Sequence, residues 1–129
     1  MLMPGELTSI EKTTLLKIAR EAIISVADNK PPAQINVGEL SPALQAYAAT
    51  FVTLTIEGAL RGCIGTLKAY QPLALDVQEH AIAAAFQDYR FPQVTKSELP
   101  KLQIEISRLT LPQALIYENY QELISKLRP

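Results

Sequence analysis

The stretch Thr50–Gly65 reads TFVTLTIEGALRGCIG and carries the clearest secondary-structure pattern in this chain. Its first part, residues 51–56, consists almost entirely of β-branched and aromatic residues, which favour strands. Glu57 and Gly58 then supply a tight-turn signal, and residues 59–67 form a second run of strand character. This order predicts a β-hairpin.

Helical patterns flank the hairpin, and a further strand follows. Apolar residues spaced three and four apart predict helices over residues 9–28 and 71–87. Residues 102–109 alternate apolar and polar side chains, the pattern of a strand with one solvated face. Weaker patterns predict a strand over residues 111–117 and the start of a helix over residues 120–127. The expected fold is α+β, an antiparallel sheet with a central hairpin packed by helices.

Composition narrows the function classes. The 129 residues include 12 Lys or Arg against 13 Asp or Glu, so no basic face predicts nucleic-acid binding. Cys63 is the only cysteine and His80 the only histidine, which excludes an intramolecular disulfide and would leave a metal only carboxylate ligands. The sequence has neither a signal peptide nor the roughly 20 apolar residues that a membrane helix requires. We expect a cytosolic protein without a metal site.

The second half of the hairpin contains residues that suit a reactive thiol. Strand alternation is expected to place Arg61 and Cys63 on one face, with Leu60 and Ile64 on the other. A neighbouring guanidinium favours the thiolate form, which a nucleophilic or redox-active cysteine needs. The alternative is that Cys63 is only a small, packed side chain.

Two glycines flank this cysteine. Gly62 and Gly65 remove side-chain bulk, and glycine within a strand commonly marks a bulge or the close approach of a ligand or another backbone. They are therefore candidate ligand-binding positions. The alternative is that both glycines only allow close packing against a helix.

The single histidine offers a base for the thiol. His80 follows Asp76 by four residues on the predicted helix, so the carboxylate could hold the imidazole charged or fix its tautomer. A Cys63–His80 dyad requires that the two side chains come within hydrogen-bond reach, which the sequence does not determine. The alternative is a solvated surface histidine.

An irregular segment follows the second predicted helix and reads DYRFP at residues 88–92. Its carboxylate, guanidinium and aromatic groups suit a small planar or anionic ligand, which makes Asp88, Arg90 and Phe91 candidate binding residues. If this segment meets the hairpin, Arg61 and Arg90 would form a two-arginine anion site. The alternative is a structural turn whose side chains satisfy the helix end.

These motifs resemble the AMMECR domain family, also called AmmeMemoRadiSam system protein A. The resemblance rests on LRGCIGT at residues 60–66, AIAAAFQDYRFP at 81–92, EL at 98–99 and IEIS at 104–107. It extends from the first helix to the end of the chain, and members of the family continue for several tens of residues further. It implies that residues 1–129 form a single AMMECR-like domain without the family's C-terminal segment.

The resemblance implies an antiparallel α+β fold and a family without a firmly established biochemical activity. Its bacterial and archaeal members are similar to proteins encoded beside a Memo-like protein and a radical S-adenosylmethionine enzyme, which become the expected partners. Animal relatives have been discussed as intracellular adaptors. The family's motif positions correspond to Arg61, Gly62, Cys63, Gly65, Asp88, Arg90, Phe91 and Pro92. His80 departs from the family pattern, in which another polar residue, often asparagine, is usual.

Two hypotheses about function follow. In the first, the protein is a ligand-binding or accessory protein that serves the radical S-adenosylmethionine enzyme and the Memo-like protein. In the second, it is a small-molecule enzyme in which Cys63 is the catalytic thiolate and Arg61 and Arg90 bind a polar or anionic substrate. In both, the expected binding residues are Arg61, Gly62, Gly65, Asp88, Arg90 and Phe91, and no cofactor is identified.

Overall fold

The computed structural model describes residues 6–109. Its elements, in chain order, are helix α1 (Ser9–Ala27), a 3₁₀ turn (Val37–Glu39), helix α2 (Pro42–Gln45), strands β1 (Thr50–Ile56) and β2 (Ala59–Gly65), helix α3 (Leu73–Phe86), a second 3₁₀ turn (Lys96–Lys101) and strand β3 (Leu102–Arg108). The strand predicted over residues 111–117 and the helix over 120–127 lie outside the described residues. Within residues 6–109, no helix is long and apolar enough to cross a membrane.

The three strands form one antiparallel sheet in the order β2-β1-β3, which confirms the predicted α+β class. The central strand is β1, because it pairs with β2 on one side and with β3 on the other. Alternate residues of β1 are buried, and α1 and α3 both pack on that face. The core between the layers contains Leu15, Ala19, Ile23, Val52, Leu54, Val77, Ala81, Ala84 and Leu102. The other face of the sheet carries no helix among the described residues.

A β-bulge in β2 changes which side chains share a face. Leu54 pairs with Gly62 whereas the next residue, Thr55, pairs with Leu60, so Arg61 is an extra residue without a partner in β1. Leu60 is therefore on the face opposite the helices, and the prediction that it shares a face with Ile64 is wrong. Simple period-two alternation fails here because the bulge inserts one residue.

The connection between α1 and β1 is more ordered than the sequence pattern indicates. It contains a 3₁₀ turn and the short helix α2. Pro42 stands at the start of α2, where its fixed φ suits a helix and its missing N–H breaks no bond. The segment is also bonded to the start of α3, since the Leu73 amide donates to the Ala46 carbonyl at 2.8 Å.

Gly62 lets α3 approach the sheet closely. It is buried on the helix-facing side of β2, and a Cβ placed there would overlap the carbonyl oxygen of Ala84 and lie 3.0 Å from its carbonyl carbon. The facing surface of α3 is built from alanines, including Ala81 and Ala85. Small residues on both elements thus set the distance between helix and sheet.

Gly62→Ala should destabilise the protein by about 3 kcal/mol or prevent folding, because the obstacle is helix backbone and not a movable side chain. The measurement is the free energy of unfolding from a urea titration. The matched control is Gly38→Ala, whose Cβ would meet only the Asn36 side chain at 3.6 Å. Equal effects of the two substitutions would contradict this account of Gly62.

Candidate functional site

The segment after α3 closes over the outer edge of β2 at Cys63. The Cys63 amide donates to Asp88 Oδ2 at 3.0 Å, and the Cys63 carbonyl accepts from Arg90 Nη2 at 3.3 Å. An acidic and a basic side chain therefore occupy the two backbone groups that a further strand would use at this position. The site is centred on the peptide of Cys63.

Asp88 is the buried centre of this arrangement. Its carboxylate accepts four hydrogen bonds, from the Cys63 amide and from the backbone N, Nε and Nη2 of Arg90. The Arg90 guanidinium, together with the Cys63 and Arg90 amides, holds the pKa of Asp88 far below its usual range, against the opposing effect of burial. The carboxylate is thus a permanently ionised anchor, as expected for a structural role at a helix end.

Arg61 lies at the bulge and is held by the same connecting segment. Its Nε and Nη2 bind Glu98 Oε2 at 2.8 Å and Oε1 at 3.0 Å, and its Nη1 donates to the Pro92 carbonyl at 2.8 Å. The bond from Nη2 to the Gln93 carbonyl, at 3.3 Å, completes its contacts. Arg61 therefore holds β2 to residues 92–98 through hydrogen bonds and an ion pair.

The guanidinium that accompanies Cys63 is that of Arg90. Arg90 contacts the Cys63 carbonyl, and the two side chains also interact electrostatically. Strand alternation predicts Arg61 as the neighbour of the thiol, but the Arg61 guanidinium makes its hydrogen bonds to Glu98 and to the Pro92 and Gln93 carbonyls. The Cys63 side chain itself is half-buried beside Thr53, with Sγ and Oγ1 3.1 Å apart.

Arg61 contacts the segment between α3 and β3, and Arg90 belongs to that segment. Each arginine is already neutralised by an ion pair. Arg61 forms its ion pair with Glu98, and Arg90 forms its own with Asp88 at 2.7 Å. The predicted two-arginine site therefore has little net positive charge. Arg90 retains some binding capacity, because its side chain is 49% exposed and its Nη1 makes no hydrogen bond within residues 6–109.

The predicted Cys63–His80 dyad is wrong. His80 lies between α3 and the buried face of β1, where its Nδ1 is 3.2 Å from Thr50 Oγ1. Cys63 pairs with Thr53 and is on the opposite face of the sheet. The Asp76–His80 pairing at four-residue spacing is confirmed at 3.2 Å, but His80 is buried and not a solvated surface residue.

The remaining predicted residues have mixed surroundings. Gly65 contacts protein, since a Cβ there would overlap the Thr50 carbonyl oxygen and the Phe51 side chain. Phe91 is partly buried, and its ring centre lies 5.4 Å from the Arg90 guanidinium carbon. Packing thus accounts for Gly62 and Gly65 without a ligand, and their role in binding stays a prediction.

Sequence analysis missed the role of Glu98. The signal was available, because Thr95 and Glu98 have the spacing of a capping box and the structure contains that box. Nothing in the sequence connected it to Arg61.

A separate groove of about 470 Å³ lies between α1 and β3, and it is lined by Glu6, Leu7, Lys12, Leu15, Leu16, Ile104, Glu105, Ile106 and Arg108. None of the predicted site residues lines that groove.

Glu98→Gln should lower the free energy of unfolding at neutral pH by about 2 kcal/mol. The Arg61 ion pair, followed by the Thr95 amide, lowers the pKa of Glu98 from 4.5 to about 2. A lowered carboxyl pKa stabilises the fold above the unfolded value and loses that effect as pH falls toward the folded value. The difference between wild type and variant should therefore shrink to zero between pH 4.5 and about 2.

Urea titrations across this pH range measure that difference. Glu21→Gln is the matched control, since Glu21 is an exposed carboxylate 3.8 Å from Lys17 and should contribute little at any pH. A pH-independent difference for Glu98→Gln would show that the ion pair with Arg61 does not stabilise the fold.

A family model, related proteins and a solved structure all match this chain. The AMMECR1 family model matches residues 16–129. A protein of Methanosarcina barkeri is 40% identical over 111 residues, which cover 84% of this chain and 55% of that protein. One of Thermofilum pendens is 33% identical and matches 96% of this chain and 62% of its own length. The crystal structure of an uncharacterized protein from Pyrococcus horikoshii, 34% identical, has a TM-score of 0.68 and covers 75% of this chain and 50% of that chain.

The chain spans about half the length of several relatives, 55%, 56% and 50% in three of them. The family match nevertheless covers the sheet, α3 and every candidate site residue from Arg61 to Glu98. The fold similarity to the Pyrococcus horikoshii protein is consistent with this match. The chain therefore belongs to the AMMECR1 family.

Proposed function

We propose that this protein is an accessory protein that docks onto a partner through the turn at residues 88–91. The observation that carries the proposal is Tyr89, which is 96% exposed although its two neighbours are fixed to the sheet. Tyrosine is among the residue types that are enriched in binding hot spots.

Hydrogen bonds fix the backbone on both sides of Tyr89. Asp88 is bonded to β2, its Oδ1 accepts from the Arg90 amide at 3.1 Å, and its carbonyl accepts from the Phe91 amide at 3.0 Å. A binding residue on a preorganised turn loses little conformational entropy when a partner binds. The backbone on both sides of Tyr89 is therefore already arranged for docking.

The chemistry of the turn suits a partner surface with an aromatic or apolar pocket and an acceptor beside it. Tyr89 would enter the pocket, and the free Nη1 of Arg90 would donate to a carboxylate or carbonyl at its rim. The family resemblance supplies the candidate partners, the radical S-adenosylmethionine enzyme and the Memo-like protein. We place this association in the cytosol, as the sequence predicts.

Tyr89→Ala should weaken binding to the partner at least about tenfold, because it removes the exposed anchor of the turn. The measurement is calorimetric titration of the full chain into each of the two candidate partners separately. Tyr47→Ala is the matched control, since Tyr47 is a 66% exposed tyrosine outside this turn and its loss should leave the affinity unchanged. Absence of binding to both partners, or equal effects of the two tyrosines, would overturn the proposal.

A thiol enzyme is the second candidate function. It is favoured by the Arg90 guanidinium, which bonds to the Cys63 carbonyl and interacts electrostatically with the thiol, and by the Thr53 hydroxyl 3.1 Å from Sγ, which could donate a hydrogen bond to the thiolate. In this alternative Cys63 attacks an electrophilic substrate, and Arg90 binds the polar or anionic group of that substrate.

The rate of Cys63 alkylation in native protein at neutral pH tests this alternative. The accessory function predicts labelling no faster than in the unfolded chain. The enzyme alternative predicts faster labelling that Arg90→Gln slows, because that change removes a positive charge that interacts with the thiol. Lys17→Gln, on the exposed face of α1, is the control for a general loss of charge.

A further inference from the structure

A second cluster of polar side chains lies on the helix-facing side of the sheet, along α3. Asp76 and His80 are buried there, and Glu79 stands beside them at the surface. One nitrogen or carboxylate oxygen from each of the three side chains lies within 4.8 Å of the other two. None of the three side chains belongs to the turn at residues 88–91 or contacts the backbone of Cys63.

One nitrogen of His80 is fixed by its neighbours. Its Nδ1 is 3.2 Å from Asp76 Oδ2, and that oxygen also accepts from the Thr50 hydroxyl at 2.7 Å. The other Asp76 oxygen accepts from the Gln71 amide at 3.0 Å. Because an ionised carboxylate only accepts hydrogen bonds, the proton of a neutral imidazole belongs on Nδ1. The lone pair is then on Nε2.

The other nitrogen faces a carboxylate without bonding to it. Within residues 6–109, His80 Nε2 makes no hydrogen bond, and Glu79 Oε2 lies 3.7 Å away. Because no buried side-chain nitrogen or oxygen in that range lacks a hydrogen-bond partner, Nε2 reaches the surface even though the side chain is only 4% exposed. A lone pair and a carboxylate repel each other unless a proton or a metal cation lies between them. Ligands at about 2.0–2.2 Å from a zinc-type ion are about 3–4 Å apart, so this separation fits two ligands of one ion.

Neighbouring side chains also hold His80 and Glu79 in place. Asp76 orients His80, and the Tyr70 hydroxyl donates to Glu79 Oε2. A carboxylate behind a metal-binding imidazole, and hydrogen bonds to a ligating carboxylate, are the usual supports of a metal site. Neither Asp76 nor Glu79 forms an ion pair with Lys or Arg in the described part of the chain, and the basic side chain beside them is His80.

We propose that His80 Nε2 and the Glu79 carboxylate bind a divalent transition-metal ion, oriented by Asp76 and Tyr70 and completed by water. A mixed imidazole and carboxylate ligand set suits Zn²⁺, Co²⁺ or Ni²⁺ better than Ca²⁺ or Mg²⁺. Two protein ligands make an open site whose water positions could accept a further ligand. The sequence interpretation left only carboxylates for a metal, because it did not bring His80 and Glu79 to one point.

Zn²⁺ titration of the full chain, followed by NMR of the imidazole, tests the proposal. His80 is the only histidine, so a change of its Nε2 resonance identifies the ligand without ambiguity. We expect one Zn²⁺ per chain, a shift at Nε2 with Nδ1 still protonated, and reversal by a chelator. Glu79→Gln should weaken Zn²⁺ binding at least about tenfold.

Controls separate this site from other metal-binding groups. Glu79 is half-exposed, so its substitution should leave the fold intact, and Glu21→Gln should leave the affinity unchanged. Zn²⁺ binding should persist in Cys63→Ser, because Cys63 lies on the opposite face of the sheet. The proposal is overturned if millimolar Zn²⁺ leaves the imidazole resonances unchanged, if both ring nitrogens carry protons at neutral pH, or if binding is lost with Cys63 and kept in Glu79→Gln.

Discussion

The Asp88 carboxylate is the interaction on which the candidate site depends. It connects the end of α3 to the outer edge of β2, and it fixes Arg90 and the backbone beside Tyr89 at the same time. A buried carboxylate is tolerated because each of its oxygens accepts hydrogen bonds from charged or amide donors. Without it, the Cys63 amide would lose its hydrogen-bond partner, and the Arg90 guanidinium would lose its ion pair and keep the bond to the Cys63 carbonyl.

This arrangement also protects the sheet. An edge strand exposes backbone donors and acceptors that could pair with another chain, and β2 is at the edge of the described sheet. Side chains of Asp88 and Arg90 occupy the N–H and C=O of Cys63, while the bulge at Arg61 interrupts regular pairing nearby. Asp88 and Arg90 therefore have a structural role at the sheet edge that does not depend on a ligand.

The two faces of the sheet carry different chemistry. On the helix-facing side, the small residues Gly62 and Ala84 permit close packing, and the buried Asp76–His80 pair lies against Thr50. On the other side, Cys63 and Thr53 are covered by no described helix. This separation removes the histidine from the thiol and makes each group available for a different role.

The sequence alone determined the element order, the α+β class and the stripe of α3 that packs on the sheet, because periodicity reports which face of an element avoids water. It also singled out Cys63, Asp88 and Arg90 as candidate site residues, from their chemistry and from the family resemblance. Only the tertiary structure determined which side chains contact one another. Arg61 bonds to Glu98 while Arg90 bonds to the Cys63 carbonyl, and the helix-to-sheet packing placed His80 beside Thr50. Such pairings join residues that are tens of positions apart, and local periodicity carries no information about them.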